Sequence, residues 1–232
     1  MNATLPQGLP EGEEKTRAVR AMFDAIAPRY DLVNRIMTFR MDVGWRKRTV
    51  TDLALPPGAI VLDLASGTGD LSRELRGRDI EPISVDLSEG MLRADRSGEP
   101  RVLADVLCLP LRDGDVDGAT CGFALRNLRE LPAFFAELAR VVRVGGRVAL
   151  LEVATPDNAL MRWGHGIYFG KVVPVIGGLL SDGDAYRYLP RSVAYLPEPD
   201  DLVAMFQAAG FPDAQRTLLS GGIAQLLTGT RR

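Results

Sequence analysis

The fold is decided by the stretch Ile60-Val61-Leu62-Asp63-Leu64-Ala65-Ser66-Gly67-Thr68-Gly69-Asp70. An apolar run ends there in a turn of small residues, and a helical pattern follows. Such a turn lets the backbone approach a ligand closely, because glycine lacks a Cβ and tolerates positive φ. Many nucleotide-binding folds use a turn of this kind, and a merely tight strand-to-helix turn has the same composition.

Outward from this turn, β-branched apolar runs alternate with helical patterns, which indicates a doubly wound α/β fold with a mostly parallel sheet. The predicted strands are residues 60–64, 82–86, 101–104, 118–122, 147–152, 214–219 and 223–229. The predicted helices between them are residues 71–76, 89–95, 133–142 and 200–209. Gly145 and Gly146 are interpreted as the stop signal of the helix over 133–142.

Before the sheet, the sequence predicts a lead-in and two helices. Residues 1–16 lack a signal-peptide pattern and are expected to be disordered. An apolar helical stripe follows and is expected to end at Pro28; it consists of Val19, Met22, Phe23 and Ile26. A second helix is predicted over 42–53, with Asp42 as its cap. We expect residues 17–232 to form one domain, in which residues 156–197 are a substrate-side insert.

Composition excludes several classes of protein. The 232 residues, 46% of them hydrophobic, suit one full-sized domain. The 28 basic and 30 acidic side chains leave a formal charge of −2, so no global positive field would attract nucleic acid. Cys108 and Cys121 lack metal-type spacing, so we expect no metal site, small core cysteines and a reducing cytoplasm. Residues 163–180 contain five glycines and Pro174, which argues against a membrane span.

Acidic residues follow the predicted strands where a nucleoside would bind. Asp86 ends the second strand, about twenty residues after the turn, where a carboxylate accepts both ribose hydroxyls. Asp105 follows the third strand and can accept from an adenine amino group. Ser72 replaces the third glycine of the dinucleotide fingerprint, which argues against a nicotinamide-dependent oxidoreductase. S-adenosylmethionine needs no pyrophosphate cradle, and its positive sulfonium favours nearby acids such as Asp63. The sequence therefore predicts S-adenosylmethionine as the cofactor.

Five runs carry a resemblance to a known family. They are Met22-Phe23-Asp24-Ala25-Ile26-Ala27-Pro28-Arg29-Tyr30-Asp31, Leu62-Asp63-Leu64-Ala65-Ser66-Gly67-Thr68-Gly69-Asp70, Asp86-Leu87-Ser88-Glu89-Gly90-Met91-Leu92, Phe123-Ala124-Leu125-Arg126-Asn127 and Asp184-Ala185-Tyr186-Arg187-Tyr188-Leu189-Pro190. From about Arg17 to Gly229, the chain resembles the ubiquinone/menaquinone C-methyltransferase family.

The resemblance implies a Rossmann-like, seven-stranded class I methyltransferase sheet of order 3-2-1-4-5-7-6 with an antiparallel last strand. It also implies an N-terminal helical lid and an insert before the last helix and strands. The implied reaction moves a methyl group from S-adenosylmethionine to a ring carbon of a demethylmenaquinol-type prenylated quinol. That acceptor is a small, apolar, aromatic molecule.

The predicted cofactor-binding residues combine the turn, the strand ends and the resemblance. They are Asp63, Ala65, Gly67, Thr68, Gly69, Asp86, Leu87, Met91, Asp105, Val106 and Gly122. Two positions depart from the family pattern. Gly122 stands where serine is common, so a side-chain contact with the cofactor is lost, and Leu227 stands where histidine is usual.

Methylation of a quinol carbon requires a base or hydrogen-bond partner near the phenol oxygen. The candidates are Arg126, Asn127, Tyr30 and Tyr186. Asn127 as the cap of a turn, and either tyrosine as surface packing, explain these residues about as well. His165, the single histidine, is interpreted as structural. The apolar residues of the insert suit an isoprenoid tail, and a plain pair of core helices explains them equally.

A group of basic residues precedes the first strand. It comprises Arg35, Arg40, Arg46, Lys47 and Arg48. On one face these side chains would attract anionic lipid, so we expect a cytoplasmic protein with a peripheral membrane contact; a solvated helix face gives the same pattern. Two alternatives for the function remain open. One is methylation of carbon or oxygen on a natural-product or other small phenol, and the other is noncatalytic binding of S-adenosylmethionine.

Overall fold

The computed structural model describes residues 11–156, 158, 188 and 191–232. Its strands are β1 (Ile60–Leu64), β2 (Glu81–Asp86), β3 (Arg101–Leu103), β4 (Val116–Gly122), β5 (Val142–Val153), β6 (Gln215–Leu219) and β7 (Ala224–Thr230). Its described helices are α1 (Gly12–Ile26), α2 (Tyr30–Met37), α3 (Met41–Leu53), α4 (Asp70–Arg76), α5 (Glu89–Ala94), α6 (Leu131–Val141) and α7 (Pro199–Ala208).

The strands form one sheet in the order β3-β2-β1-β4-β5-β7-β6. The first five pair in parallel, whereas β7 runs antiparallel to both β5 and β6. The predicted strand order and the antiparallel last strand are confirmed. The order reverses between β1 and β4, and in open α/β sheets ligands bind at the carboxyl ends of the strands beside such a switch point.

The central strand β1 separates two apolar layers, because successive side chains point to opposite faces of a sheet. Leu62 and Leu64 belong to the cluster that contains Phe134 and Phe135 of α6. Val61 belongs to a second cluster, together with side chains of α3 and α4. This double burial fixes the position of β1 and therefore the position of the turn that follows it.

The N-terminal region differs from its prediction. Helix α1 begins at Gly12, so residues 12–16, predicted as the end of a disordered lead-in, are helical. Tertiary contacts explain the difference: Lys15 is buried, its Nζ donates to the Leu128 carbonyl at 2.8 Å and it lies 3.5 Å from the centre of the Tyr195 ring. Residues 1–10 lie outside the described part.

Helix α2 was missed, because Pro28 was interpreted as the end of helical structure. Pro28 instead occupies the first turn of the 3-10 segment Ala27–Arg29, where proline fits because its missing N–H is not needed. The cap assigned to Asp42 is also wrong. Arg40 precedes α3, and the buried Asp42 carboxylate accepts from Arg46 and from Thr38 Oγ1 at 2.6 Å.

Two further expectations are corrected. Gly145 and Gly146 lie inside β5 and do not stop α6, which ends at Val141. A Cβ on Gly146 would lie 2.6 Å from the Asp117 carbonyl oxygen, so close approach to β4 explains that glycine. Cys121 is a core residue as expected, but Cys108 is exposed. Among the described residues, no helix is long and apolar enough to cross a bilayer.

Candidate functional site

A cleft of about 790 Å³ opens at the carboxyl ends of β1, β2 and β4, a size typical of small-molecule sites. Eight of the predicted cofactor residues line it: Ala65, Gly67, Asp86, Leu87, Met91, Asp105, Val106 and Gly122. Two others, Asp63 and Thr68, line an adjoining recess of about 340 Å³. The structure therefore brings these ten positions together, although they come from four separate parts of the chain.

Asp86 is held at the end of β2 by backbone donors. Gly67 N donates to its Oδ2 and Ser88 N to its Oδ1, each at 2.8 Å. Burial raises the pKa of this carboxyl, while the two backbone N–H donors act in the opposite direction. The same carboxylate thus connects the glycine-rich turn to the start of α5, and it lines the cleft where ribose hydroxyls would lie.

The turn after β1 needs left-handed backbone at several positions. Ala65 has φ 50°, Gly67 φ 58° and Gly69 φ 79°. A Cβ on Gly67 would meet nothing within 4 Å, so backbone conformation is what favours glycine there. A Cβ on Gly69 would lie 2.2 Å from Asp95 Oδ1. Gly69 is therefore packed against Asp95 and supports the shape of the turn.

Ser66 was not predicted, and the structure gives a reason to add it. It lines the recess that also contains Asp63, Thr68 and Tyr30. Its Oγ is buried and has no hydrogen-bond partner within the described chain. A buried hydroxyl without a partner is unfavourable, so this atom suits a polar group of a ligand.

Asp63 lies beneath the recess and is fully buried. Its carboxylate accepts from Ser72 Oγ at 2.7 Å and from Thr120 Oγ1 at 3.2 Å. Burial raises the pKa of Asp63 to about 7, despite these hydroxyl donors. A positive ligand in the recess would favour the ionised carboxylate. Ser72 therefore orients this carboxylate from the position where a dinucleotide fingerprint has its third glycine.

The far end of the cleft combines one carboxylate with apolar side chains. Asp105 Oδ1 accepts from Leu107 N at 2.9 Å, and its Oδ2 lies 3.6 Å from Arg129 Nη2. Val106 and Leu107 line the cleft beside it. Such a surface suits a flat aromatic ring with an exocyclic donor at its edge, which fits adenine.

The N-terminal helices border this cleft on the side where the sequence predicts a lid. Val19 and Phe23 of α1 line it. Asp24 Oδ1 accepts from Ser88 Oγ at 2.6 Å and from Gly90 N at 2.9 Å. Asp31 of α2 accepts a hydrogen bond from Thr68 Oγ1 in the turn. These hydrogen bonds attach α1 and α2 to residues that lie next to the predicted cofactor-binding residues.

Of the predicted substrate-side residues, Tyr30 and Asn127 line the cleft. Burial raises the pKa of Tyr30 to about 12. Asn127 Oδ1 accepts from Tyr188 Oη at 3.2 Å. Arg126 lies behind the cleft, where it donates to Glu152 and to the Phe123 carbonyl at 2.9 Å. Tyr186, His165 and most of the insert lie outside the described residues.

The two departures from the family pattern occupy different environments. Gly122 lines the cleft, and a Cβ there would lie 3.0 Å from Leu71 Cδ1, the end of a flexible side chain. Leu227 is fully buried and pairs with Leu150 across β5 and β7. Only the first departure therefore changes the surface that a ligand would meet.

The basic residues before β1 share a surface only in part, since Arg35, Arg40 and Arg46 line one groove together with Asp70. Arg46 is buried, bonded to Asp42 and 3.4 Å from Asp70. Arg48 pairs with Asp52 at 2.7 Å on α3. Arg35 and Arg40 also line a groove along α2, and Arg35 Nη2 lies 3.7 Å from Asp70 Oδ1.

Sequence reasoning also missed Ser88, Asp24 and Glu152. Ser88 precedes α5 and accepts from Met91 N at 3.0 Å, so its N-cap pattern was a readable signal. Asp24 lies 64 residues from Ser88 in sequence, and Glu152 lies 26 residues from Arg126. No local pattern links either pair.

The sheet order, with an acid-lined cleft beside β1 and β2, agrees with the class I methyltransferase fold. Solved structures share this fold. A SAM-dependent methyltransferase from Thermotoga maritima matches with a TM-score of 0.65 and 19% identity, covering 92% of this chain and 99% of its own. Another from Aquifex aeolicus has a TM-score of 0.57 and 15% identity, covering 81% and 89%.

Within this class, the chain belongs to the ubiE/COQ5 methyltransferase family, whose model matches residues 11–231. A demethylmenaquinone methyltransferase from Roseiflexus castenholzii is 41% identical, covering 97% of this chain and 98% of its own. One from Thermus thermophilus is 42% identical, covering 90% and 100%. The ubiquinone/menaquinone biosynthesis C-methyltransferase UbiE of Geobacter sulfurreducens is 37% identical, covering 94% and 90%.

Proposed function

We propose that this methyltransferase transfers the methyl group of S-adenosylmethionine to a ring carbon of a demethylmenaquinol-type prenylated quinol. The observation that carries the proposal is similarity over nearly the whole chain to relatives named for demethylmenaquinone methylation. The cleft supports it, since its lining combines carboxylates for a nucleoside with apolar side chains. Its natural setting would be the cytoplasm, next to the membrane that holds the isoprenoid tail.

The residues present fit the cofactor part by part. Asp86 would accept the ribose hydroxyls, and Asp105 with Val106 would hold the adenine. Gly67, Thr68 and the unpartnered Ser66 Oγ would face the amino-acid portion, near the buried carboxyl of Asp63. Once bound, S-adenosylmethionine supplies a methyl group activated by its sulfonium.

On the substrate side, Tyr30 is the residue whose chemistry is best defined. With its pKa raised to about 12, the phenol remains protonated at neutral pH and would be able to donate a hydrogen bond to a bound substrate. It would therefore stabilise charge on the quinol oxygen and would not remove a proton. Asn127, held by Tyr188, would fix the ring from the other strand end. The lid would exclude water and align the acceptor carbon, which is a large part of catalysis in such transfers.

The test is a methyl-transfer assay on the purified full chain. Reduced demethylmenaquinol with S-adenosylmethionine should yield a ring-methylated product by mass spectrometry, while Asp86→Ala should show almost none. A panel of small phenols is run in parallel. Turnover of a phenol without turnover of any quinol would replace the proposed substrate.

Binding measurements separate the remaining alternatives. Calorimetric titration should show S-adenosylhomocysteine binding and no NADH binding. Tight binding of NADH alone would contradict the cofactor assignment. Cofactor binding without a methylated product from either substrate panel would favour the noncatalytic alternative.

A further inference from the structure

Helix α2 and the turn after it expose three large apolar side chains. Leu32, Ile36 and Phe39 are 56%, 37% and 69% exposed. Their spacing places Leu32 and Ile36 on adjacent turns of the same helix side, and Phe39 follows at its end. Val33 and Met37, on the inner side of α2, are buried. The helix is therefore apolar toward the core and also toward solvent.

The turn after α2 holds Phe39 in an unusual backbone conformation. Phe39 and Arg40 both have left-handed φ, of 49° and 61°. Bulky residues rarely adopt this conformation, and backbone strain of this kind is a reason to look for a function. The exposed aromatic ring is thus the product of a specific turn, not of a frayed helix end.

Guanidinium groups border these apolar side chains. A groove of about 930 Å³ along α2 is lined by Leu32 and Ile36 together with Arg35, Arg40 and Arg96. The acid of that groove is Asp31, whose carboxylate accepts from Thr68 Oγ1. Arg35 Nη2 also lies 3.7 Å from Asp70 Oδ1. Three guanidinium groups against these two carboxylates still leave an excess of positive charge along the groove, although the whole chain carries a formal charge of −2.

From this geometry we propose that Leu32, Ile36 and Phe39, flanked by Arg35 and Arg40, form a docking surface for an anionic lipid bilayer. Apolar side chains at such a surface enter the boundary between headgroups and acyl chains, and arginines bind lipid phosphates. Exposed apolar side chains together with an excess of positive charge favour an anionic bilayer over a neutral bilayer as the occupant. These residues are called the α2 surface below.

The α2 surface lies close to the cofactor site. Asp31 belongs to the same helix and bonds to Thr68 of the glycine-rich turn. A bilayer at this surface would therefore lie one helix away from the cleft. That it delivers the acceptor from the membrane rests on the proposed function, whereas lipid docking itself does not.

Sedimentation of the full chain with lipid vesicles tests the docking. Binding should be strong to phosphatidylglycerol mixed with phosphatidylcholine, about tenfold or more weaker to phosphatidylcholine alone, and reduced by salt. The variant Leu32→Ser/Ile36→Ser/Phe39→Ser should bind the mixed vesicles about tenfold or more weakly. Arg35→Gln/Arg40→Gln should lose most of the preference for anionic lipid.

A matched control removes equally exposed apolar side chains elsewhere. Val144, Leu218 and Ile60 are 72%, 40% and 41% exposed on other parts of the sheet. The variant Val144→Ser/Leu218→Ser/Ile60→Ser should bind vesicles as the parent does. Thermal unfolding of each variant verifies that the fold is retained.

Three results would overturn the proposal. The first is unchanged vesicle binding by the α2 triple variant, and the second is equal binding of the parent to neutral and anionic vesicles. The third is a dimer of the parent that the α2 triple variant converts to a monomer without vesicle binding by either, which would make the surface an interface between copies of the chain.

Methyl-transfer assays test the docking proposal and the proposed substrate separately. A short-tailed, water-soluble quinol should be methylated equally by the parent and by the α2 triple variant, whereas a long-tailed quinol in vesicles should be methylated about tenfold more slowly by the variant. If neither quinol is methylated while vesicle binding follows the expected pattern, the substrate assignment fails and the docking surface stands.

Discussion

Carboxylates at the two ends of the parallel strands have different hydrogen-bond partners. The amino edge is where these strands begin, and the carboxyl edge is where they end. At the amino edge, Asp117 meets Arg143 at 2.6 Å, and on helix α6 Glu137 meets Arg140 at 2.7 Å. These guanidinium hydrogen bonds lower the pKa of both acids. At the carboxyl edge, Asp63 and Asp86 accept from hydroxyls and backbone N–H groups, and burial raises the pKa of both.

This difference separates a stabilising arrangement from one suited to a ligand. Paired acids near solvent are satisfied without any further group. Buried acids without a guanidinium partner are unfavourable when ionised, so they gain most from a cationic or hydroxyl-rich ligand. Among the buried acids at the carboxyl edge Glu152 is the exception, because it is fully buried and bonded to Arg126; the partly buried Asp105 lies 3.6 Å from Arg129.

The largest expected effect contrasts this buried pair with an exposed one. Glu152→Gln leaves the buried Arg126 without a counter-charge and should lower the free energy of unfolding by about 3–5 kcal/mol. Asp117→Asn at the amino edge leaves a half-exposed Arg143 and should cost less than about 1 kcal/mol. Urea unfolding measures both. Equal losses of unfolding free energy in the two variants would show that burial does not make the Glu152 ion pair more important for stability than the Asp117 ion pair.

Asp86→Ala should weaken ligand binding more than it lowers the stability of the fold. Because the carboxylate would accept two ribose hydroxyls, its loss should weaken S-adenosylhomocysteine binding about 100-fold or more. Asp117→Ala is the control and should leave the dissociation constant unchanged. The measurement is calorimetric titration at fixed pH, and unchanged affinity in Asp86→Ala would remove the basis of the cofactor site.

The raised pKa of Asp63 predicts a pH dependence of stability in the absence of cofactor. The folded protein keeps this proton up to a pH of about 7, whereas the unfolded chain loses it near pH 4. Asp63 therefore lowers the free energy of unfolding as pH rises from about 4 to 7, by at most about 4 kcal/mol, since each pKa unit corresponds to about 1.4 kcal/mol.

Asp63→Asn should remove that decline, so the variant gains stability relative to the parent across this range. Asp117→Asn should show the opposite sign in a lower range, since the lowered pKa of Asp117 adds stability that is constant above about pH 4 and is lost as the pH falls further. Unfolding curves at several pH values compare the two. A parallel pH profile for both variants would contradict the contrast between the edges.

The smallest effect is expected at Gly122. Gly122→Ser adds a hydroxyl to the cleft wall, and Leu71 Cδ1 can move to accommodate the new Cβ. Binding of S-adenosylhomocysteine should tighten about two- to tenfold. Gly122→Ala is the control, because it adds the Cβ without the hydroxyl, and it should not tighten binding. If alanine tightened binding as much as serine does, the effect would come from packing and not from the hydroxyl.

The sequence predicted the carboxyl edge well, because strand ends and small-residue turns are local signals. Asp86 was placed from its distance after the turn, and the structure places it at the cleft beside Gly67. The seven strands were found with ends shifted by a few residues, since β-branched runs mark them. The sheet order came from the family resemblance, not from these runs.

Contacts between distant segments could not be predicted in this way. Helix α2 was missed because proline has two effects on helices: it ends a helix when it lies in the interior, and it is favoured in the first turn. Lys15 is ordered by Leu128, which lies 113 residues away in the chain. The unpartnered Ser66 hydroxyl is visible only after the surrounding atoms have been placed.

The position of β7 has a consequence for how the protein is made. This strand follows β6 in the chain, yet it lies between β5 and β6. During synthesis, β6 emerges first and has no neighbour to join until β7 follows. Until then the side of β5 presents unpaired backbone groups, which are a template for aggregation. A chain truncated before Ala224 would therefore keep one side of β5 unpaired and would lack the buried side chains of Leu226 and Leu227.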